Sequence, residues 1–100
     1  MGYTISLHPA ADKDLTEAYK WYEEKQTGLG EKFIEQVTHK TESIRLNPEA
    51  FSSKGKIPFR EALVSKFPFI IVYKINHEQK QIFISSIHHV KKHPKKKYRK

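Results

Sequence analysis

The apolar pattern of this chain changes from a helical to a strand period at Asn47-Pro48, and this change constrains the fold most strongly. From residue 10 to residue 46, apolar residues recur every three or four positions, as on one face of an α-helix; after Pro48, they alternate or run continuously, as in β-strands. Proline cannot continue a helix and also restricts the residue before it, so the boundary is sharp. The sequence therefore predicts an α+β protein in which two helices precede most of the strands.

The helical half contains two segments separated by a short break. The first is predicted from residue 10 to about residue 25, directly after Pro9, and Asp12, Asp14 and Glu17 lie in its first turns, where the helix dipole favours acidic residues. Gly28-Leu29-Gly30 ends it, and the second helix runs from about Leu29 to Leu46. So short a break predicts an αα-hairpin. Trp21 lies beside the apolar stripe of the first helix and is expected to cap the core.

Four strands are predicted, one before the helices and three after them. The first covers residues 3–8; the others cover residues 59–64, 67–75 and 81–88, with a loop at 48–58 and a polar turn at 76–80. The expected fold is an N-terminal strand, an αα-hairpin and a three-stranded antiparallel meander, with the helices packed on one face of the sheet. Residues 1–100 form one domain, in which about 90–100 are expected to be a flexible basic tail.

Composition excludes several classes of protein. No apolar run approaches the roughly 20 residues that cross a membrane, and the N-terminus lacks the features of a signal peptide. The absence of cysteine removes disulfides, thiol nucleophiles and Cys-based zinc sites. We therefore expect a cytoplasmic protein that is stabilised by packing alone.

Charge is unevenly divided between the two halves. Residues 1–50 carry 6 Lys/Arg and 9 Asp/Glu, a net charge of −3, whereas residues 51–100 carry 13 and 2, a net charge of +11. Such a basic half predicts binding to RNA, DNA or an acidic protein. A solubilising tail would account for the lysines at 95–97, but not for the cations that precede it, Lys54, Lys56, Arg60 and Lys66.

No strong catalytic or metal-binding signature is present. The chain has no Gly-rich phosphate loop, no H-E-x-x-H and no G-x-S-x-G sequence. Of the six histidines, His88 and His89 are adjacent on a predicted strand, so their side chains point to opposite faces and do not form a ligand pair. We expect no metal and no cofactor.

The basic residues could nevertheless support metal-free cleavage of RNA. Arginine binds phosphate with two donors, and histidine transfers protons near neutral pH. The residues available for this chemistry are Arg60, Lys54, Lys56, His88, His89, Lys91, Lys92 and Tyr98. A basic face that only binds phosphate or an acidic protein explains the same residues, and composition alone favours binding without catalysis. Tyr73, in an apolar strand, is expected in the core or at its rim rather than in a catalytic role.

Five sequence pieces, in order and spanning nearly the whole chain, resemble the RelE/ParE toxins, a family also known as plasmid stabilisation proteins. They are Ala11-Asp12-Lys13-Asp14-Leu15, Trp21-Tyr22-Glu23, Gly28-Leu29-Gly30-Glu31-Lys32-Phe33, Asn47-Pro48, and a last set made of Phe59-Arg60, residues 66–73, residues 84–89 and Lys91-Lys92-His93-Pro94. The W-Y-E, G-L-G and F-P-F pieces resemble the ParE-like branch most.

The resemblance implies a growth-arresting toxin of a type II toxin–antitoxin pair. Its partner would be a small antitoxin whose acidic or amphipathic C-terminal segment wraps this domain and whose other end binds DNA, so the toxin would be a monomer or part of a hetero-oligomer. ParE-like members poison DNA gyrase, which is the target we expect. RelE-like members instead cleave mRNA on the ribosome, which is the alternative; a second alternative is an inactive member that only binds an antitoxin or nucleic acid.

The resemblance also implies roles for individual residues. Arg60 matches the arginine of the family's middle strand, and His89 matches the histidine after the last strand, whereas lysines stand at 91 and 92 where arginines are usual. If the protein is an endoribonuclease, the expected catalytic residues are Arg60, His89, Lys92 and Tyr98. If it only binds, the expected surface consists of Lys54, Lys56, Arg60, Lys66, His88, Lys91 and Lys92.

Overall fold

A computed structural model describes residues 2–53, 55 and 57–91. The elements, in chain order, are β1 (Thr4–Leu7), α1 (Pro9–Lys25), α2 (Leu29–Leu46), a 3-10 turn (Pro48–Ala50), β2 (Ser52–Ser53), β3 (Arg60–Leu63), β4 (Phe69–Asn76) and β5 (Gln81–His89). The strands form one sheet in the order β1-β5-β4-β3-β2. Strand β1 is parallel to β5, and all other neighbours are antiparallel.

The predicted α+β fold with an αα-hairpin is confirmed, and the strands differ in detail. The sheet has one strand more than predicted, because Ser52–Ser53 pairs with β3 inside the segment that we expected to be a loop. A two-residue strand has no measurable period, so it leaves no sequence signal. Strand β4 starts at Phe69, two residues later than predicted, because the turn before it, in which Lys66 adopts a positive φ of 69°, extends over residues 65–68. The predicted tail after Lys91 lies outside the described residues.

Local capping fixes the start of α1 and the break before α2. The Nδ1 atom of His8 accepts a hydrogen bond from the amide of Ala10 (3.0 Å), and Pro9 occupies the first turn. Gly28 adopts the left-handed conformation, with φ of 90°, at the N-cap of α2, where a side chain would be strained. Within the described residues, no helix combines the length and apolar character that crossing a membrane requires.

The glutamate of the W-Y-E piece joins the two helices. Its Oε2 atom accepts from the amide of Gly28 (2.9 Å), and its Oε1 atom accepts from the amide of Gly30 (3.0 Å). Glu23 therefore places a carboxylate at the N-terminus of α2, where amides have no partner within the helix and where the dipole favours an anion. This contact explains why the W-Y-E and G-L-G pieces occur together.

The core lies between the helix pair and one face of the sheet. Its largest fully buried side chains include Tyr73, Phe33, Ile44, Ile71, Ile82 and Ile84. Trp21 does not cap this core as expected, because its side chain is 54% exposed and contacts the ring of Tyr22 edge-on, with the Lys25 ammonium 4.4 Å from the indole. The position one residue before Tyr22 points outward, and Tyr22 fills the core instead.

A β-bulge changes the face that the end of β5 presents to the helices. Val72 pairs with Ser86 and Tyr73 pairs with Ile84, so Ser85 is the extra residue. The bulge interrupts the alternation of side chains, and for this reason Ile84 and Ile87 both reach the core although their positions differ by three, an odd number. The same shift brings His89, two residues further along, to the helix side.

Candidate functional site

Arg60 holds the segment that leads into β2. Its Nη1 atom donates to the backbone carbonyl oxygens of Glu49 (3.2 Å) and Phe51 (2.8 Å). Both carbonyls belong to the three residues that directly precede β2, in the segment that follows the end of α2. The side chain that the sequence predicted to hold phosphate therefore anchors backbone carbonyls of its own chain.

Tyr73, which is directly opposite Arg60 in the sheet, anchors the same segment from inside the core. Its buried hydroxyl donates to the carbonyl oxygen of Pro48 at 2.6 Å. Burial raises the pKa of Tyr73 to about 12, against a smaller opposing effect of the Arg60 charge. Such a tyrosine stays protonated near neutral pH, as expected of a core residue rather than a proton-transfer group.

A shallow depression of about 210 Å³ surrounds the β2–β3 end of the sheet, where Arg60 and His77 both line it. His77 lies in the turn between β4 and β5, and sequence reasoning did not single it out. Its only signal in the sequence was its place in a polar turn. This turn lies near the arginine because Arg60 pairs with Tyr73, three residues before the end of β4. Lys54 and Lys56, which were predicted in the same region, lie outside the described residues.

His88 and His89 point to opposite faces, as predicted. His88 is 6% exposed and pairs with Ile70, whereas His89 faces the helices and packs edge-on against Phe69, with ring centroids 5.0 Å apart. The Nδ1 atom of His89 accepts from the amide of Lys91 (3.0 Å). The two histidines therefore do not act on a common ligand.

Arg60 and His89, the two predicted catalytic residues that the structure describes, lie far apart. Arg60 is level with Ile84 on β5, and His89 lies five residues further along that strand, two strands away from β3. Strand geometry puts their Cα atoms roughly 15–20 Å apart. A general base must lie within about 3 Å of the proton that it removes, so these two side chains serve separate regions. Lys92 and Tyr98 lie outside the described residues.

Two of the predicted binding lysines lie near His89, at the end of the sheet away from Arg60. Lys66 is exposed in the β3–β4 turn and lines a shallow groove with the start of α2, and Lys91 is exposed after β5. Among residues 2–53, 55 and 57–91, no group of three His, Asp or Glu side chains could hold a metal ion. The described part of the predicted surface is thus divided between two ends of the sheet.

An apolar groove of about 260 Å³ lies between α1 and the end of β5, and the sequence had not identified it. It is lined by Asp14, Glu17, Ala18, Trp21, Tyr22, Phe69, Ile87 and His89. Asp14 ties the two walls together, since its Oδ2 atom accepts from the backbone amide of Ile87 (3.1 Å). The pairing of these elements depends on contacts 73 residues apart, which helical periodicity in one segment does not reveal.

Similarity to known proteins agrees with this fold. The chain matches the family model of the ParE toxin of type II toxin–antitoxin systems, parDE, over residues 5–94. Among solved structures, it is similar to the chromosomal ParDE toxin–antitoxin system from P. aeruginosa, with a TM-score of 0.76 and 16% identity over 89% of this chain and 97% of that chain.

It is also similar to an arginine double mutant of the E. coli toxin RelE in the free state, with a TM-score of 0.69 and 19% identity over 91% of this chain and 86% of that one. No curated protein sequence matches it significantly. The structural likeness shows a shared fold, and the family model covers nearly the whole sequence. The chain belongs to the ParE toxin family of type II toxin–antitoxin systems.

Proposed function

We propose that this ParE-family toxin arrests growth by binding DNA gyrase, and that it acts as a binding protein rather than a nuclease. The observation that carries the proposal is the position of Arg60. Its guanidinium donates to two backbone carbonyls, and it lies roughly 15–20 Å from His89. A nuclease that uses both residues would need them around one phosphate, within hydrogen-bond distance of the reacting atoms.

The electrostatics of the second half suit an acidic partner. Its net charge of +11 would accelerate the encounter with a negatively charged surface and make binding depend on salt. The family implies an antitoxin partner, and the toxin would be inactive while that partner is bound. We place both proteins in the cytoplasm, where gyrase and DNA are found.

The test is a supercoiling and DNA-cleavage assay with purified gyrase and the purified full chain. Inhibition of supercoiling, or accumulation of cleaved DNA, at a stoichiometric dose is expected. The matched assay uses mRNA in translating ribosomes at the same dose, in which the mRNA should remain intact. Unchanged gyrase activity at a saturating dose would overturn the proposal.

The ribosome-dependent nuclease remains the competing function, and it makes an opposite prediction about the tested variants. Under that hypothesis His89→Ala abolishes mRNA cleavage while leaving the fold intact. Under the gyrase hypothesis no mRNA cleavage occurs with either form of the chain. Cleavage by the wild type that is lost in His89→Ala would therefore replace our proposal with the nuclease.

A further inference from the structure

The sheet has buried residues on the face that points away from the helices, which we call the outer face. Ile71 and Tyr73 face the core, so Val72 between them faces outward, because side chains alternate along a strand. Its neighbours in the adjacent strands, Glu61 and Ser86, lie on the same face. Val72 and Ser86 are nevertheless fully buried, at 0% exposure. The second face of an antiparallel sheet is commonly in contact with water, so this burial indicates that the outer face is covered.

The burial follows a diagonal strip, which consists of Phe59, Val72, Ser86 and His88. At one end His88, near the end of β5, is 6% exposed, and at the other end Phe59, directly before β3, is 3% exposed. Leu63, in the corner beside this strip, is 61% exposed. The buried strip is thus narrow and runs from β5 to β3, as expected beneath a single extended segment rather than beneath a broad surface.

No helix or turn found within residues 2–53, 55 and 57–91 lies over this strip. Both helices pack on the core face of the sheet, and the 3-10 turn lies there too, since the carbonyl of Pro48 accepts from the hydroxyl of Tyr73. The β2–β3 loop adjoins Phe59 in sequence, but His88 is two strands away from β3. The group that covers the whole strip therefore comes from outside these elements.

The chain continues for nine residues after Lys91, which follows the end of β5. The path from His88 to Phe59 crosses two strand spacings and the length of four strand residues, which together amount to about 16 Å. Nine residues of extended chain reach up to about 30 Å. Residues 92–100 begin beside one end of the strip and are long enough to cross it.

The charge of the outer face is complementary to this segment. Residues 92–100 carry six Lys/Arg and no acidic residue. Residues 51–100 contain only two acidic residues, and one of them, the half-buried Glu61, lies beside Val72 in the middle of the strip. The other, Glu78, is exposed in the turn between β4 and β5. A cation that crosses the strip therefore meets a carboxylate that is partly shielded from water.

From these observations we propose that residues 92–100 dock as an extended segment over the buried strip of the outer face, with one of their cations on Glu61. The ring of Tyr98 packs on the apolar part of the strip, at Phe59 or Val72. The segment is then a covering layer of the fold and not the flexible tail that the sequence predicts. This inference is independent of the gyrase proposal, because it concerns how the chain packs on itself.

A nitroxide label on the full chain locates the segment. Lys96→Cys supplies a single thiol for it, since the chain has no cysteine. The label should broaden the NMR signals of the Val72 methyl groups and spare the methyl group of Thr38, on the exposed side of α2. Sharp Val72 signals would overturn the proposal. Broadening at Ala18 instead would place the segment in the groove beside α1, and broadening passed between chains in a mixture would assign the strip to a second copy; both results reject it.

Tryptic cleavage within residues 95–100 tests the contact with Glu61. A docked segment is cut only while it is open, so the cleavage rate follows the open population. Glu61→Gln should raise this rate about threefold to fivefold, the effect of losing one partly shielded ion pair. Glu78→Gln, which removes the same charge from the exposed turn, should leave the rate unchanged. Equal rates in the two variants would contradict the proposed contact. Gyrase inhibition is measured separately, so failure here leaves the gyrase proposal standing.

Discussion

Replacing Glu23 by glutamine tests whether one carboxylate holds the αα-hairpin together. The carboxylate accepts from Gly28 and Gly30 on its two oxygens, at 2.9 and 3.0 Å. A glutamine has one oxygen, so it keeps one of these bonds at most and turns its NH₂ group toward the second amide. It also removes the negative charge from the N-terminus of α2.

The expected cost follows from these two losses. A hydrogen bond to a charged group contributes about 1.5–3 kcal/mol, and a charge at a helix terminus about 0.3–1 kcal/mol. Because Glu23 is only half-buried, we expect the free energy of unfolding to fall by about 2 kcal/mol. For a domain of this size, that lowers Tm by roughly 8–16 °C in a thermal melt followed by circular dichroism.

The matched control is Glu24→Gln, which removes the same charge one residue later on the exposed face of α1. An exposed substitution of this kind should change stability by less than about 0.5 kcal/mol. If the two variants melt at the same temperature, the loss belongs to the overall charge and the hairpin contact has no special role. The reasoning would then be wrong.

Three further variants test other contacts. Gly30→Ala should lower Tm despite the better helix propensity of alanine, because the new Cβ would stand 2.7 Å from the carbonyl oxygen of Tyr19; an unchanged melt would show that the helices can separate. Tyr73→Phe should cost about 1–2 kcal/mol in denaturant unfolding through the lost bond to Pro48. The folded protein holds the Tyr73 pKa above the ordinary 10, so wild-type stability from this group is complete below pH 10 and is lost as pH rises toward about 12; the phenylalanine variant should lack this alkaline loss. Arg60→Ala should lower Tm as well as activity, whereas a side chain used only for phosphate would leave the melt unchanged.

The helices could be predicted closely because their signals are local. Pro9 starts α1, glycines break the chain after it, and Asn47-Pro48 ends α2, whose observed bounds Leu29–Leu46 agree with the prediction. Each of these residues acts through its own backbone preference, and this preference is the same in any fold. The prediction that Trp21 caps the core was wrong, because a position beside the apolar stripe can face either the core or solvent.

The candidate site was predicted less well because residue type alone does not fix which groups meet. Arg60 was recognised as important, but its bonds to the carbonyls of Glu49 and Phe51 depend on where the loop after α2 returns. The groove at Trp21 requires α1 to cross the end of β5, a contact between residues far apart in sequence. Neither arrangement has a period or a motif that a single segment could display.

The sequence by itself determined the class of the fold, the order of most of its elements and the opposite net charges of its two halves. Propensity, periodicity and composition are properties of short segments, so they do not depend on the tertiary structure. Only the tertiary structure decided that β1 lies parallel to β5 at one edge of the sheet. It also decided, through the bulge at Ser85, that His89 rather than His88 faces the helices. These choices depend on pairing between distant strands, and one inserted residue in such a pairing reverses the face of every side chain that follows it.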